Sequence, residues 1–189
     1  MKPIEPGSKV KNWNVIVTVA SGPGRESHLL RQFRRLGQFE PTEFKDVCVG
    51  CVEDVAQFLE TLRIGRENNE PWLADLGRVI PVEQIFSFTP QTLAEQLKQG
   101  TAPFLQRMAE GTFHVRLERR GLLGQVMSQE VERQVGEHLC ALAEVAGKQL
   151  QVSFTDADYV VVAETVGNQC GIALLDRPLR ERYPFVLPR

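Results

Sequence analysis

Apolar and polar positions along this chain switch between two spacings. WNVIVTV, residues 13–19, is a nearly continuous apolar run of strand length, and the SGPG after it marks a turn. In RESHLLRQFRRLG the spacing becomes helical. Leu29, Leu30, Phe33 and Leu36 share one stripe, and Arg31, Arg34 and Arg35 fall on the opposite one, because each residue turns a helix by about 100°. TEFKDVCVGCV returns to strand spacing, and EDVAQFLETLRIGREN to helical spacing. After the turn-rich NNEPWLADLG comes VIPVEQIFSF, which reads as one further strand. The order β-α-β-(β)-α-β is that of a split βαβ, ferredoxin-like sandwich. It is assigned to residues 13–88, following an N-terminal arm of residues 1–12.

A second unit, residues 89–189, begins at Thr89-Pro90. QTLAEQLKQG and APFLQRMAEG predict one broken helix or two short ones, punctuated by Gly100 and Pro103. In TFHVRLERR, Phe113, Val115 and Leu117 alternate with His114, Arg116 and Glu118, the signature of a strand with one buried face. Ser128 is placed to cap the helix SQEVERQVGEHLCALAEVAG, with Glu130 in its first turn and Gly147 ending it. Val131, Val135, Leu139 and Leu142 form its core stripe. DYVVVAETV and GIALLD predict strands buried on both faces. The order of this half is α-α-β-α-β-β, so the whole chain falls in the α/β (α+β) class.

Composition narrows the function classes. Of the 189 residues 42% are apolar and 24% charged, the balance of an ordinary folded protein. A formal charge of -2 excludes a uniformly basic nucleic-acid binder, yet leaves room for a local basic patch. MKPIEPGSKVKNW lacks the apolar centre of a secretory signal, and no apolar run approaches the ~20 residues that span a bilayer. The expectation is a cytoplasmic protein with its four cysteines reduced.

The candidate chemistry is cationic. Arg116, Arg119 and Arg120 lie within five residues, Arg116 and Arg120 on one face of the strand and Arg119 at its end. Arg133 follows one turn into the next helix, whose N-terminus near Ser128 offers free N–H groups, and Lys148 follows that helix. Arginine suits an anion because its planar fork meets two oxygens at once and also stacks on a base. Charge spacing alone favours a solvated strand edge neutralised by Glu118 and Glu130. Arg31, Arg34 and Arg35 form a second basic stripe, with Arg25 opening the same helix, and this face fits phosphate contacts and a plain polar helix face equally.

The rival signal is Cys48 and Cys51, a C-x-x-C between a β segment and a helix. It reads as a redox pair if a helix N-terminus activates the thiols, or as two buried structural cysteines. Zinc would need two more ligands, and Cys140 and Cys170 stand isolated. SGPGRE lacks the pattern of a phosphate loop, and His28, His114 and His138 have no motif partners. No catalytic residue, cofactor or metal site is nominated.

Four strings carry a resemblance: F-x-V-R-x-x-R-R-G at Phe113 to Gly121, SQEVER-x-x-G at Ser128 to Gly136, V-V-x-E at Val161 to Glu164, and GIALLD as a closing strand. With the element order, they resemble a THUMP domain, the RNA-binding module of several tRNA-modifying enzymes and stand-alone adaptors. The N-terminal half resembles the ferredoxin-like domain that usually precedes it. Asp156-Ala157-Asp158 departs from the Asn-Pro-Asp that such domains often carry. The chain ends at RERYPFVLPR with no catalytic domain following, so the resemblance points to a non-catalytic adaptor. It implies a grip on the single-stranded 3′ CCA and acceptor end of tRNA, presented to a separate enzyme such as the acetyltransferase that forms N4-acetylcytidine. Carried onto this sequence, it makes Arg116, Arg119, Arg120, Ser128, Arg133 and Lys148 the RNA contacts, with Arg25, Arg31, Arg34 and Arg35 as secondary contacts. The alternatives are a thiol-dependent redox or metal protein using Cys48 and Cys51, or a protein-interaction scaffold without RNA binding.

Overall fold

A computed structural model describes residues 12–188, so the arm read over residues 1–12 lies outside the described residues but for its last position. The chain forms two units, one of residues up to Val82 together with Arg180–Leu187, the other from Glu83 to Leu179.

The first unit runs β1 (Val15–Val19), α1 (Arg25–Phe33), β2 (Gln38–Pro41), β3 (Val47–Cys51), α2 (Val55–Glu67) and β4 (Leu76–Pro81). Its sheet has the order β2-β3-β1-β4 with every pair antiparallel, the ferredoxin-like arrangement expected from the element order. WNVIVTV is apolar throughout because β1 is central and buried on both faces, with Val15, Ile16 and Val17 at most 1% exposed. Asp54 starts α2 by accepting a hydrogen bond from Gln57 N at 3.0 Å. Phe33 gathers Phe39, Phe58 and Trp72 around it at centroid separations of 4.6, 5.6 and 5.9 Å. The Phe39 ring lies across Gly50, where a Cβ would meet it at 2.2 Å, so only glycine fits that place in β3. The C-terminal return adds Phe185 and Val186 to this unit, both buried, and Val79 N donates to Phe185 O at 2.9 Å.

The second unit comprises β5 (Gln84–Ser87), α3 (Leu93–Thr101), β6 (Gly111–Glu118), α4 (Ser128–Val145), β7 (Leu150–Val152), β8 (Tyr159–Val166) and β9 (Gln169–Asp176), with α5 (Arg177–Arg182) leading out of it. The sheet order is β5-β9-β8-β6-β7. β6 runs parallel to β7 and β8, while β9 is antiparallel to β8 and β5. The alternation read in TFHVRLERR places Phe113, Val115 and Leu117 in the core with Val131, Val135 and Leu139 of α4. Gly147, at φ 70°, ends α4 in a left-handed turn, with Lys148 N reaching back to Ala143 O at 2.8 Å.

Two expectations need correction. VIPVEQIFSF is two strands in two sheets, β4 in the first and β5 in the second, because β5 pairs with β9. The units therefore divide after Val82, before the expected boundary at residue 88. The expected pair of short helices is present as α3 followed by a 3₁₀ turn, Ala102–Gln106, with Pro103 near the start of the turn, where its missing N–H costs nothing. The three-residue β7 was not anticipated.

Candidate functional site

The arginine cluster sits where β6 gives way to α4. In parallel α/β arrangements this end of the strand is where the chain opens a crevice for ligands. β6 ends at Glu118, so Arg119 and Arg120 belong to the connection that follows. That connection turns through three left-handed residues, Gly121 (φ 69°), Leu122 (φ 55°) and Gly124 (φ 75°), and the N–H groups of Gln125 and Val126 donate back to Leu122 O at 3.0 and 3.1 Å. It leads into an 18-residue helix whose N-cap, Met127, makes no side-chain hydrogen bond. Leu123 and Met127 stand 84% and 76% exposed beside it.

Each of the expected contact residues has a definite place. Arg119 Nη1 donates to Leu122 O at 3.1 Å and Val126 O at 2.6 Å, clamping the turn across its own neck. Arg120 is buried, pairs with Glu164 at 2.5 Å, and its backbone N–H donates to Thr165 Oγ1 at 2.8 Å. The expected anion-holding face of three arginines is thereby corrected, since two of them hold the protein to itself. Ser128 is the first residue of α4 and not its cap, a second correction. Lys148 donates to Leu105 O and, at 2.6 Å, to Met108 O, so its ammonium closes the 3₁₀ turn. The exposed cations at this end are Arg116 and Arg133, whose side chains are 47% and 55% exposed. Arg133 bridges Glu130 at 2.8 Å and Glu137 at 2.5 Å. Hydrogen bonds from Arg133 and Gln134 hold the Glu130 carboxyl down at about 2. Arg116 lies 3.9 Å from Glu132, a carboxylate that accepts from Leu117 N at 2.8 Å and whose pKa burial pushes up.

In the first unit α1 stops at Phe33, so Arg34 and Arg35 lie on its cap and following turn and not on a continuous helix stripe. Arg31, Arg34 and Arg35 are exposed. Arg25 lies 3.7 Å from Asp75, which also meets His28 Nδ1 at 2.6 Å.

The cysteine pair is not arranged for redox chemistry. Cys48 and Cys51 both lie in β3, and α2 begins only at Val55 behind its Asp54 cap. Residues three apart on a strand face opposite ways with Cα atoms roughly 10 Å apart, and a disulfide needs less than about 7 Å. Burial pushes the Cys48 thiol up to about 12, with Glu26 and Asp46 adding to the effect. Among the described residues no group of His, Cys, Asp or Glu is disposed to hold a metal ion.

Glu164 and Thr165 were not foreseen as supports of the site. The signal was present, since Glu164 is a lone acid in an apolar strand and a buried charge needs a partner. Leu123, Met127 and Phe154 carried no signal, because an exposed apolar residue is common on any surface.

The THUMP domain family matches residues 82–175. No curated protein matches the chain. Among solved structures, the PH1313 protein of Pyrococcus horikoshii is similar over 87% of this chain and 54% of its own, with 12% identity and a TM-score of 0.59. A 4-thiouridine synthetase, solved as an RNA complex with bound ATP, is similar over 87% of this chain and 41% of its own, with 13% identity and a TM-score of 0.58. TrmN from Thermus thermophilus covers 90% of this chain and 48% of its own, with 20% identity and a TM-score of 0.56. These identities establish likeness of fold, and the chain spans about half or less of each of those proteins.

Proposed function

Residues 82–175 are a THUMP domain, and from that premise we propose that this chain binds RNA, specifically the single-stranded 3′ CCA and acceptor end of tRNA. The observation that carries the reading is the β6–α4 connection. Three left-handed residues stand before a helix N-terminus that no side chain caps, the whole held rigid by Arg119 and the Arg120–Glu164 pair. Unsatisfied amides and the positive end of the helix dipole suit a phosphate, and a preformed turn needs little ordering on binding. Arg116 and Arg133 stand at the rim to neutralise further phosphates, and exposed Leu123 and Met127 offer apolar surface to unpaired bases. Exposed Arg31, Arg34 and Arg35 would add non-specific phosphate contacts. Arg119, Arg120 and Lys148 act from behind as supports of the surface. The chain acts as a cytoplasmic, non-catalytic adaptor that delivers tRNA to a modification activity on a separate polypeptide, such as an N4-acetylcytidine acetyltransferase. The RNA complex of the similar 4-thiouridine synthetase supports the RNA part of this reading.

The test is fluorescence anisotropy with intact tRNA and with tRNA lacking its CCA end, at two salt concentrations. Binding is expected to weaken without CCA and with salt, each single-strand phosphate contact adding about 0.7 to the logarithmic slope. Arg116→Glu is expected to weaken intact tRNA by about tenfold, or ~1.4 kcal/mol, at unchanged stability. Binding indifferent to both CCA and Arg116 would overturn the assignment of this face.

A further inference from the structure

The second unit carries a feature that the proposed RNA contacts only border. β8 pairs with β6 from Phe113 to Glu118, whereas β7 covers the opposite edge only from Gly111 to Phe113. Beyond that point Ser153 N donates to Phe113 O at 2.9 Å and the chain leaves the sheet, with Ser153 O meeting His114 Nδ1 at 3.1 Å. The edge closes again at Leu117, whose N–H is taken by Glu132. Alternate residues of a strand direct their backbone groups to the same edge. Val115, between Phe113 and Leu117, therefore aims its N–H and C=O at the uncovered stretch, where neither has a partner among the described residues.

That stretch opens into a groove of about 870 Å³ whose apolar lining is Val115, Gly136, Cys140, Ala141, Val152 and Phe154. Phe154 is 80% exposed and Val152 46% exposed. Along α4 the groove runs from Gln129 to Glu144, roughly 22 Å at ~1.5 Å per residue, the span of about seven extended residues at ~3.3 Å each. Away from its Arg116 and Arg133 rim the groove is acidic. Glu132, Glu137 and Glu144 outnumber Arg116 and Arg133, and both arginines are already paired with carboxylates. Glu144, exposed at the far end, has no cationic partner among the described residues.

We propose that this groove receives an extended peptide segment of a protein partner, added as a short strand beside Val115. Such strand addition takes its affinity from backbone hydrogen bonds and its specificity from alternate side chains. Here an apolar side chain lies against Gly136, Cys140, Ala141 and Phe154, and a lysine or arginine reaches Glu144. This is a protein-binding site that shares only the Arg116 and Arg133 rim with the proposed tRNA interface, and Gly136 and Glu144, outside that interface, let the two be tested separately.

The probe is an acetylated heptapeptide, Lys-Val-Thr-Val-Ser-Val-Lys, titrated into the ¹⁵N-labelled full chain. The amide of Val115 is expected to shift and its exchange with solvent to slow, and peptides with single N-methylated amides should lose binding where the methyl blocks the ladder. Gly136→Leu fills the groove from within, since a Cβ there meets nothing nearer than Val115 Cγ2 at 4.0 Å. It should abolish peptide binding while leaving tRNA affinity as in the parent. Glu144→Lys should weaken the peptide about fivefold, the scale of an exposed ion pair. No shift at millimolar peptide, or shifts indifferent to N-methylation, would overturn the proposal. Competition by tRNA, with tighter tRNA binding in Glu144→Lys, would assign the groove to RNA instead.

Discussion

Arg116 and Arg120 are four positions apart and chemically identical, yet the structure gives them opposite surroundings. Arg116 stays half in solvent, while Arg120 is 8% exposed against a Glu164 that is 2% exposed. An ion pair removed from water stabilises little on balance, but breaking it strands a charge in a medium that cannot solvate it. Arg120→Met is therefore expected to destabilise the chain by about 3–5 kcal/mol in urea unfolding. The double variant with Glu164→Gln should recover part of that loss. A single variant within about 1 kcal/mol of the parent would mean that the pair is not the anchor described. The arginine cluster was legible as a place of concentrated charge. Which arginines face a ligand was not, because that depends on where β6 ends and on a partner 44 residues away, position 164 against 120.

At the scale of elements, β6 and β8 are tied at their start by the loop before β8. Asp158 Oδ2 accepts from both the backbone N–H and the hydroxyl of Thr112 at 2.8 Å, and Arg177 lies on its other oxygen at 3.1 Å. The Thr112 backbone and side-chain hydrogen bonds, then Arg177, hold the Asp158 carboxyl at about 2, below its ordinary 3.8. A depressed folded pKa contributes stability that is present above the unfolded value and lost as pH falls through the folded one, here between about 4 and about 2. Thr112→Val removes the hydroxyl donor, so its acid-unfolding midpoint, followed by circular dichroism, is expected at higher pH than the parent's. A midpoint that does not move would remove Asp158 from the acid limb. Asp156-Ala157-Asp158 thus holds its turn without the expected proline, through hydrogen bonds and the left-handed Asp156 at φ 51°. The C-x-x-C shows the converse case. Its spacing suggested a helix N-terminus, and the elements place both cysteines within β3.

For the whole molecule, the distinctive feature is that the first unit is built from both ends of the described chain. Tyr183, Phe185 and Val186 are buried in it, and Arg182 and Tyr183 both reach Glu60, at 3.0 and 3.1 Å. Within YPFVLP these three side chains face the core, while Leu187 is 54% exposed. Deleting residues from Arg180 onward should uncover apolar surface of several buried side chains, each contributing roughly 1.5–3 kcal/mol. The tryptophans, Trp13 and Trp72, both lie in this unit, so their fluorescence should report its unfolding at lower urea in the truncated chain. An unshifted transition would show that the return is dispensable. This return also explains why a boundary drawn along the sequence divides the chain incorrectly.

What the sequence determined alone were the features that depend on near neighbours. Hydrophobic spacing located β1, α1, α2, β6, α4, β8 and β9, Gly147 marked the end of α4, and four short strings pointed to the THUMP domain that residues 82–175 form. Local periodicity suffices for these because the burial of one face is written every second or fourth residue. Tertiary structure alone decided that VIPVEQIFSF is shared between two sheets, that Arg120 is buried, that Lys148 closes a turn, and that β7 stops short of Val115. Each of those rests on pairing between residues distant in the chain, which no local spacing records.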